Sequence, residues 1–177
     1  VPPWAPPSCS RSCSRWINPV GVEIERKFLL HGDAWRGLGE PVLLRQGYLS
    51  ADPARVVRVR IQGDSAFLTI KGKSQGATRG EWEYPIPVPD AAELLDTLCQ
   101  APLIEKYRRR IQVGFHVWEV DEFLGVNAGL VVAEIELGSE DEAFEKPDWI
   151  GVEVTHDARY FNSNLIRHPY SCWKDPA

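Results

Sequence analysis

GVEIERKFLL, residues 21–30, carries two carboxylates and an ammonium group at alternate positions. Alternate side chains of an extended strand point the same way, so Glu23, Glu25 and Lys27 share one face. The opposite face of the strand is mostly apolar. The charged face is therefore either exposed to water or arranged to hold a ligand.

The size and composition of the chain fit an ordinary folded protein. Its 177 residues are 44% hydrophobic and 25% charged, which permits a buried core and argues against wholesale disorder. No run of about 18 apolar residues predicts a membrane span, so we expect no membrane partner. The formal net charge of −5 argues against a nucleic-acid partner.

The first 20 residues differ from the rest of the chain. They combine prolines with a mixture of Ser, Arg and Cys, show no apolar periodicity and lack the apolar stretch of a secretory signal. We interpret residues 1–20 as a disordered or non-native extension and expect a single domain over residues 21–177. The cysteines lack paired metal-ligand spacing, which predicts isolated thiols in a reducing cytoplasm. These cysteines are Cys9, Cys13, Cys99 and Cys172.

Short strand-like runs separated by turn residues follow one another from residue 22 onward. They comprise residues 22–30, 42–50, 55–62, 65–71, 79–86, 104–113, 115–123 and 130–138. Helical patterns are fewer: one follows Asp90 as the expected N-cap, a second is predicted by Ser139 with Glu142, and a short one is expected from Asn162. Eight strands with few helices predict a mainly β (α+β) fold, either a closed antiparallel barrel or a two-sheet sandwich.

Charged residues recur two positions apart in seven of these runs, with mostly apolar residues between them. A solvated face of an antiparallel sheet is the commonest cause of such alternation. Here one side of the runs is nearly restricted to Arg, Lys, Glu and Asp, and the apolar side also needs cover. The alternative to a solvated face is a β-barrel turned inside out, a tunnel with a charged lumen and an apolar exterior packed under helices and loops. Charges in a lumen are costly unless they are paired or bind ions.

The predicted lumen contains a basic and an acidic group of side chains. The basic group suits a polyanion, because arginine presents a rigid fork to phosphate oxygens and lysine adds a point charge. Its members are Lys27, Arg58, Arg60, Lys71, Lys73, Arg79, Lys106 and Arg108. Carboxylates two apart on a strand can converge on a hard cation such as Mg²⁺ or Mn²⁺. The acidic group comprises Glu23, Glu25, Glu119, Asp121, Glu134 and Glu136. Phosphoryl hydrolysis requires this division between phosphate-binding cations and metal-binding carboxylates.

A series of motifs extends along the chain from EIERKF at residues 23–28. In order they are LRQGYL (44–49), VRVR (57–60), LTIKGK (68–73), RGEWEYPI (79–86), IEKYRRR (104–110), WEVDEF (118–123), AEIELGSEDEAF (133–144) and GVEVTHDARYFNSNLI (151–166). EIERKF resembles the ExExK signature of the CYTH superfamily, the triphosphate tunnel metalloenzymes. The ordered series most resembles the short, single-domain bacterial members of that superfamily, and it spans residues 21 to about 168.

The resemblance implies an eight-stranded antiparallel tunnel that binds a triphosphate and one or two divalent cations. It implies metal ligands at Glu23, Glu25, Asp121, Glu134 and Glu136. It implies phosphate ligands at Lys27, Arg58, Arg60, Lys71, Arg79 and Arg108, with Lys73 added at the start of the glycine-rich turn. A one-residue slip in KYRRR would present Arg109 in place of Arg108 and Arg110.

The resemblance implies metal-dependent hydrolysis of a small-molecule triphosphate, and we expect inorganic tripolyphosphate to be cleaved to diphosphate and phosphate. The alternatives are an adenylyl cyclase or a thiamine or nucleoside triphosphatase of the same fold, or a non-catalytic polyphosphate-binding module. Tyr48 and Lys106 are the candidate general bases, because both are predicted to face the lumen. We expect lysine and metal to lower the pKa of Tyr48 below about 10. The expected form is a cytoplasmic monomer or homodimer.

Overall fold

A computed structural model describes residues 23–73, 75 and 78–173 of the chain. The strands are β1 (Glu23–Leu30), β2 (Val42–Asp52), β3 (Arg55–Gln62), β4 (Ser65–Gly72), β5 (Thr78–Arg79), β6 (Glu81–Ile86), β7 (Ile104–Val113), β8 (His116–Phe123), β9 (Val131–Glu136) and β10 (Ile150–Glu153). The α-helices are α1 (Val88–Thr97) and α2 (Asn162–Leu165). The predicted extension at residues 1–20, with Cys9 and Cys13, lies outside the described residues.

The strands form one antiparallel sheet in the order β10-β1-β9-β8-β7-β2-β3-β4-β6. This confirms the prediction of a mainly antiparallel β fold with few helices. The ladder is not a closed ring, because β6 and β10 end the path. The two-residue strand β5 lies off the path, directly before β6 in the chain, and pairs with β1. That short pairing brings the two ends of the sheet together.

The structure contains more strands than the eight predicted, for two local reasons. The predicted run 79–86 is divided at Gly80, whose carbonyl accepts a hydrogen bond from the Gly72 N–H at 2.8 Å, so that β5 turns to β1 while β6 stays with β4. The second reason is β10, which spans only Ile150–Glu153 and is too short to show an alternation of its own.

Two of the helix predictions need correction. Helix α1 begins at Val88 after Pro87, so Asp90 lies in its first turn and is not the N-cap; a carboxylate there still favours the helix dipole. The helix predicted from Ser139 does not form. The Glu142 carboxylate instead binds His116 across 2.9 Å and accepts the backbone N–H of Gly138, which fixes a turn. The short helix expected from Asn162 is confirmed as α2.

The apolar faces of the strands lie on the outside of the tunnel and are covered by other parts of the chain. On one side Trp118, fully buried, packs edge-to-face against Phe28 at 5.4 Å, Phe144 at 5.7 Å and Trp149 at 6.0 Å between ring centroids. On another side α1 packs over β3 and β4. The exterior of the tunnel is thus the main hydrophobic core, which explains the apolar half of the sequence alternation.

Apolar side chains occupy one end of the tunnel interior. They continue the tunnel-facing sides of five strands, and the members are Tyr48, Val56, Ile104, Phe123 and Val132. Three buried residues from the C-terminal part pack on them: Tyr160, Leu165 and Ile166. This segment gives that end of the tunnel an apolar cover. Within the part of the chain that the structure describes, no helix has the length and apolar character needed to cross a membrane.

The cover contributes to the stability of the fold, and Leu165 is its most buried side chain. We expect Leu165→Ala to lower the free energy of unfolding by about 2–5 kcal/mol, because it removes apolar contacts and leaves a cavity. Urea unfolding measures this change. Val152→Ala, at a position that is 65% exposed, is the control and should change it by less than about 0.5 kcal/mol. Equal stability of Leu165→Ala and the wild type would show that the segment does not cover a core.

Candidate active site

Strand β1 contributes three inward-facing charges, and its neighbours fix what each one meets. The β1–β9 register places Glu25 opposite Glu136 and Lys27 opposite Glu134, and the β1–β5 register places Glu23 opposite Arg79. Directly opposed like charges such as Glu25 and Glu136 destabilise a sheet unless something neutralises them. Strand β1 therefore lines the tunnel with its charged face.

Lys27 lies in the middle of this group and is 8% exposed. Its ammonium group contacts the carboxylates of both Glu25 and Glu134. Burial alone lowers the pKa of Lys27, but the charges of Glu134 and Glu25 outweigh it and raise the pKa above its ordinary value. Its backbone N–H donates to Thr155 Oγ at 3.0 Å, which anchors the strand at this point. Lys27 is therefore a fixed, charged ammonium inside the tunnel.

Arg108 forms the most connected ion-pair group of the tunnel. Its Nε and Nη2 atoms each donate to the Asp121 carboxylate at 2.6 Å, Nη2 also donates to Glu134 at 2.6 Å, and Nη1 contacts Glu119. Burial lowers the pKa of Arg108, and the surrounding carboxylates, Asp121 first, raise it well above its ordinary value. Conversely, burial raises the pKa of Glu134 but Lys27, Lys106 and Arg108 hold it well below its usual range.

The register of β7 settles which of its basic residues face inward. Lys106 is 1% exposed and Arg108 7% exposed, whereas Arg109 stands 5.8 Å from the Trp35 ring on the outer face. The predicted alternation is therefore correct, and the one-residue slip that would have placed Arg109 inside does not occur. Arg110 shares the inner face but its side chain is 62% exposed, with Glu119 at 3.5 Å.

A second group of pairs joins β4, β5 and β6 to β1. Lys71 Nζ lies 2.7 Å from one carboxylate oxygen of Glu23 and 3.0 Å from Glu81, and Arg79 Nε donates to the other oxygen of Glu23 at 2.6 Å. Lys71 is 5% exposed, so these contacts are made away from bulk water. Lys73, also predicted to bind phosphate, is exposed just beyond the end of β4 and lies outside this buried group.

Arg58 and Arg60 form the third basic group with partners that the sequence-based assignment left out. Arg58 donates to Thr69 Oγ at 3.1 Å, and both arginines reach the Glu83 carboxylate, at 3.4 Å from Arg58 and 3.1 Å from Arg60. Burial, followed by the charge of Arg58, lowers the pKa of Arg60 to about 10. The Nε atoms of both arginines are buried without a hydrogen-bond partner in the described protein.

Four residues of the tunnel were missed by the sequence assignment of roles: Gln46, Thr69, Glu81 and Glu83. The alternation in RGEWEYPI already placed Glu81 and Glu83 on the charged face with Arg79, which was the available signal. The alternation in AFLTIKGK places Thr69 on the face of Lys71, but Thr69 and Gln46 carry no charge and were assigned no role, although both are fully buried. Each contacts an assigned residue: Thr69 contacts Arg58, and the Gln46 amide donates to the Tyr48 hydroxyl at 3.2 Å.

The carboxylates suit a divalent cation in chemistry, although they do not form a ready-made cage. Within residues 23–73, 75 and 78–173, no group of three acidic, His or Cys side chains is arranged to hold a metal ion. Among these carboxylates, Glu136 has a pKa raised to about 7. Partial burial is the largest cause, and the negative charges of nearby carboxylates follow: Glu23, Glu81, Glu25 and Glu119. Glu136 nevertheless remains accessible to solvent. A concentration of hard oxygen donors with an accessible member fits Mg²⁺ or Mn²⁺.

The structure corrects the expectation for one of the two candidate bases. Tyr48 is 3% exposed, and burial raises its pKa to about 12 against the lowering effect of Arg58, Arg79 and Lys27. Among the protein's own groups the cations do not lower the pKa of Tyr48 as expected, because desolvation of the phenolate exceeds their attraction. Lys106 contacts Asp121; burial and then Arg108 lower the pKa of Lys106 to about 8.

Comparison with known proteins agrees with the architecture of this site. A family model described as the CYTH domain matches residues 21–170. The chain therefore belongs to the CYTH domain family, and the resemblance seen in its motifs is confirmed.

Individual relatives and solved structures are similar over most of the chain. An inorganic triphosphatase of Acetivibrio thermocellus is 54% identical over 156 residues, covering 88% of this chain and 100% of that protein. An inorganic triphosphatase of Nitrosomonas europaea is 38% identical over 149 residues, covering 81% and 96%. The crystal structure of the inorganic triphosphatase NE1496 has a TM-score of 0.56 at 37% identity, covering 81% of this chain and 93% of that chain. A conserved hypothetical protein from Pyrococcus furiosus, at 20% identity and a TM-score of 0.53, shares the fold; the match covers 67% of this chain and 80% of that chain.

The raised pKa of Tyr48 predicts how the free energy of unfolding changes at alkaline pH. A phenol that ionises near pH 10 when unfolded and near 12 when folded contributes stability below pH 10, and this contribution is lost as the pH rises toward 12. We therefore expect the wild type to lose more unfolding free energy between about pH 9 and about pH 11 than Tyr48→Phe does. Denaturant unfolding at each pH measures the loss. Tyr84→Phe, at a 52% exposed tyrosine, is the control and should behave as the wild type. Equal losses in Tyr48→Phe and the wild type would contradict the raised pKa.

Proposed function

We propose that the chain hydrolyses a terminal phosphoanhydride bond of a small-molecule triphosphate, with inorganic tripolyphosphate, cleaved to diphosphate and phosphate, as the preferred substrate. The relative of Acetivibrio thermocellus that supports this proposal is named an inorganic triphosphatase and is matched along its whole length at 54% identity. The relative of Nitrosomonas europaea carries the same name. Their shared name favours the inorganic triphosphate over a nucleotide or a thiamine ester.

One observation from the structure carries the proposal: the tunnel holds buried cationic donors that lack an acceptor. The Nε–H groups of Arg58 and Arg60 have no partner in the described protein, although both side chains are nearly buried, at 10% and 12% exposure. A buried donor without a partner costs free energy, so such donors are usually satisfied by water or by a ligand. Phosphate oxygens are the acceptors that match a guanidinium fork. A row of several phosphates fits a row of several cations.

The roles we propose for the basic residues follow from their positions. Lys27, Lys71 and Arg108 hold charges deep in the tunnel, and Arg58, Arg60 and Arg79 extend the row along neighbouring strands. Bound phosphate oxygens would take the place of some carboxylate contacts that these side chains make in the structure. The arginines then neutralise the oxygens of the transferred group as charge develops during hydrolysis. Lys73, being exposed, contributes at most to attracting the anion.

The acidic residues are the ones we propose to hold Mg²⁺ or Mn²⁺: Glu23, Glu25, Glu119, Asp121, Glu134 and Glu136. When bound, a divalent cation of this kind polarises phosphate oxygens and makes a bound water more acidic. Of the two candidate bases we retain Lys106, because it lies in the tunnel against Asp121 whereas the buried Tyr48 phenol stays protonated at neutral pH. Tyr48 then serves as a fixed hydroxyl next to Gln46.

The setting of the reaction also belongs to the proposal. The partner is the small triphosphate itself, with neither nucleic acid nor a membrane required, and the protein acts in the cytoplasm as a monomer or homodimer. Cys99 and Cys172 form no disulfide, which suits a reducing compartment.

The activity test compares phosphate release from tripolyphosphate, ATP and thiamine triphosphate, each with and without Mg²⁺ or Mn²⁺. We expect metal-dependent release, fastest from tripolyphosphate, because the tunnel supplies cations for three phosphates. Release only from ATP or thiamine triphosphate would replace the substrate assignment with one of the alternatives. Absence of metal-dependent release from all of them would refute the hydrolase and favour a binding module.

Substitution of Glu136 tests the role of the carboxylates within the same assay. Glu136→Gln keeps the shape of the side chain but removes its charge, and we expect it to lower metal-dependent turnover on the order of 100-fold. Glu122→Gln is the matched control: Glu122 lies on the outer face of β8 in contact with Arg36, and its loss should leave turnover unchanged. Full activity of Glu136→Gln would show that this carboxylate holds no metal.

A further inference from the structure

We propose that Glu83 is a positioning residue that holds Arg58 and Arg60 together as a phosphate clamp. The inference rests on the proposed function, because it names how that site keeps two of its arginines ready for the triphosphate. Glu83 belongs to the charged face of β6 but not to the acidic residues assigned to metal. Its role is to orient two cations and not to touch the reacting atoms.

The register of three strands places the parts of this clamp in one row. Arg58 on β3 is directly opposite Thr69 on β4, and Thr69 is directly opposite Glu83 on β6. Arg60 follows Arg58 by two positions, so its side chain stands on the same inner face. A carboxylate at the end of this row reaches both arginines without distortion of the sheet.

A single oxygen atom of Glu83 makes all the contacts of the clamp. Its Oε2 accepts hydrogen bonds from the Thr69 hydroxyl at 2.8 Å, from Arg60 Nη2 at 3.1 Å and from Arg58 Nη2 at 3.4 Å. Thr69 Oγ also accepts from Arg58 Nη2 at 3.1 Å, which closes the network. Thr69 is fully buried, so the hydroxyl that links Arg58 to Glu83 cannot exchange its partners for bulk water. The oxygen that Glu83 shares with both guanidinium groups fixes their spacing.

The contacts with Glu83 and Thr69 use only one nitrogen atom of each guanidinium group. Glu83 and Thr69 engage only Nη2 atoms, while the Nε–H groups of Arg58 and Arg60 stay buried and without a partner in the described protein. Two guanidinium groups so close repel each other, and this repulsion, after burial, contributes to the lowered pKa of Arg60. The carboxylate offsets the repulsion. Because Glu83 and Thr69 bond only to the Nη2 atom of each guanidinium group, the remaining nitrogen donors of the two groups are suited to phosphate oxygens.

Two physical effects predict opposite results when Glu83 loses its charge. If Glu83 acted only as a negative charge, removing it would strengthen the attraction of the tunnel for an anion. Its side chain is 32% exposed, however, so water screens part of its repulsion of the anion, whereas its hydrogen bonds to the arginines are direct. Glutamine keeps one acceptor oxygen but not the charge, so its contacts with the arginines are weaker, the repulsion between the two guanidinium groups is no longer offset, and binding of the anion weakens. The sign of the change in affinity therefore distinguishes positioning from a bulk field.

The test measures Glu83→Gln and Thr69→Val beside the wild type. Steady-state hydrolysis of tripolyphosphate gives kcat and KM, and calorimetry gives the Kd of imidotriphosphate, whose bridging N–H groups resist hydrolysis. We expect Glu83→Gln to raise KM and Kd about tenfold, with kcat within about threefold of the wild type. Thr69→Val, nearly isosteric, should shift both in the same direction by less. The double variant should bind about as weakly as Glu83→Gln, because both changes break one network.

The control is Glu122→Gln, which removes an arginine-paired carboxylate of similar exposure, 30%, from the outer face and should leave KM and Kd unchanged. Unchanged or tighter binding by Glu83→Gln would overturn the inference. A fall in thermal stability and in apparent kcat, with KM and Kd constant, would also overturn it, because that result marks a purely structural role. If Glu83→Gln does not fold, unchanged Kd and KM in Thr69→Val overturn it instead. A wild type that binds imidotriphosphate but releases no phosphate refutes the proposed function, while the Kd values still decide the role of Glu83.

Discussion

The interior of this protein depends on one constraint: charges placed inside the tunnel must meet opposite charges at hydrogen-bonding distance. The cost of an unpaired buried ion is several kcal/mol, about as much as the whole net stability of a small domain. The register of β1 meets this constraint by placing Lys27 opposite Glu134 and Glu23 opposite Arg79. The register of β7 and β8 does the same for Arg108 and Asp121. The alternation of charge along each strand and the ion pairing between strands therefore follow from the same constraint.

The same constraint links the fold to the proposed chemistry. Carboxylates that neutralise the tunnel cations in the structure are also hard donors for a divalent cation, and the cations are also donors for phosphate. In the proposed function a triphosphate and a metal ion would enter as a pair: phosphate oxygens would take over contacts from the carboxylates, and those carboxylates would then hold the metal. Either ion alone would leave one set of charges without partners. Glu136, which is accessible to solvent and lies in the negative field of its neighbours, is one of the carboxylates that would hold the metal.

The sequence predicts the side of the sheet on which a residue lies better than it predicts how the sheet is joined. The period of two along VRVR or EIERKF places Arg58, Arg60 and Lys27 correctly, because orientation in a strand is a local property. The break at Gly80 and the added strand β10 depend on pairing with a distant segment, so no local pattern reports them. Ser139 and Glu142 matched a helix-capping pattern, yet Glu142 binds Gly138 and His116 instead.

The prediction of roles within the site shows the same division. Charge alone divides the tunnel residues into an acidic and a basic group. The direction of the Tyr48 pKa shift could not be predicted from the sequence, because it depends on how completely the C-terminal cover excludes water. That exclusion follows from the packing of the cluster that contains Tyr48 and Leu165. Thr69 was missed since it has no charge, although its position between Arg58 and Glu83 makes it part of the network.

The most direct test of this account is the thermal melting of the wild type with Mn²⁺, with imidotriphosphate, and with both together. A ligand that binds the folded state raises the melting temperature, and coupled ligands raise it by more than the sum of their separate effects. The exchange of partners inside the tunnel predicts such a synergy: a small shift with either ligand alone and a clearly larger one with both. Additive shifts would contradict the exchange, and no shift under any of the three conditions would contradict the assignment of the tunnel as a triphosphate and metal site.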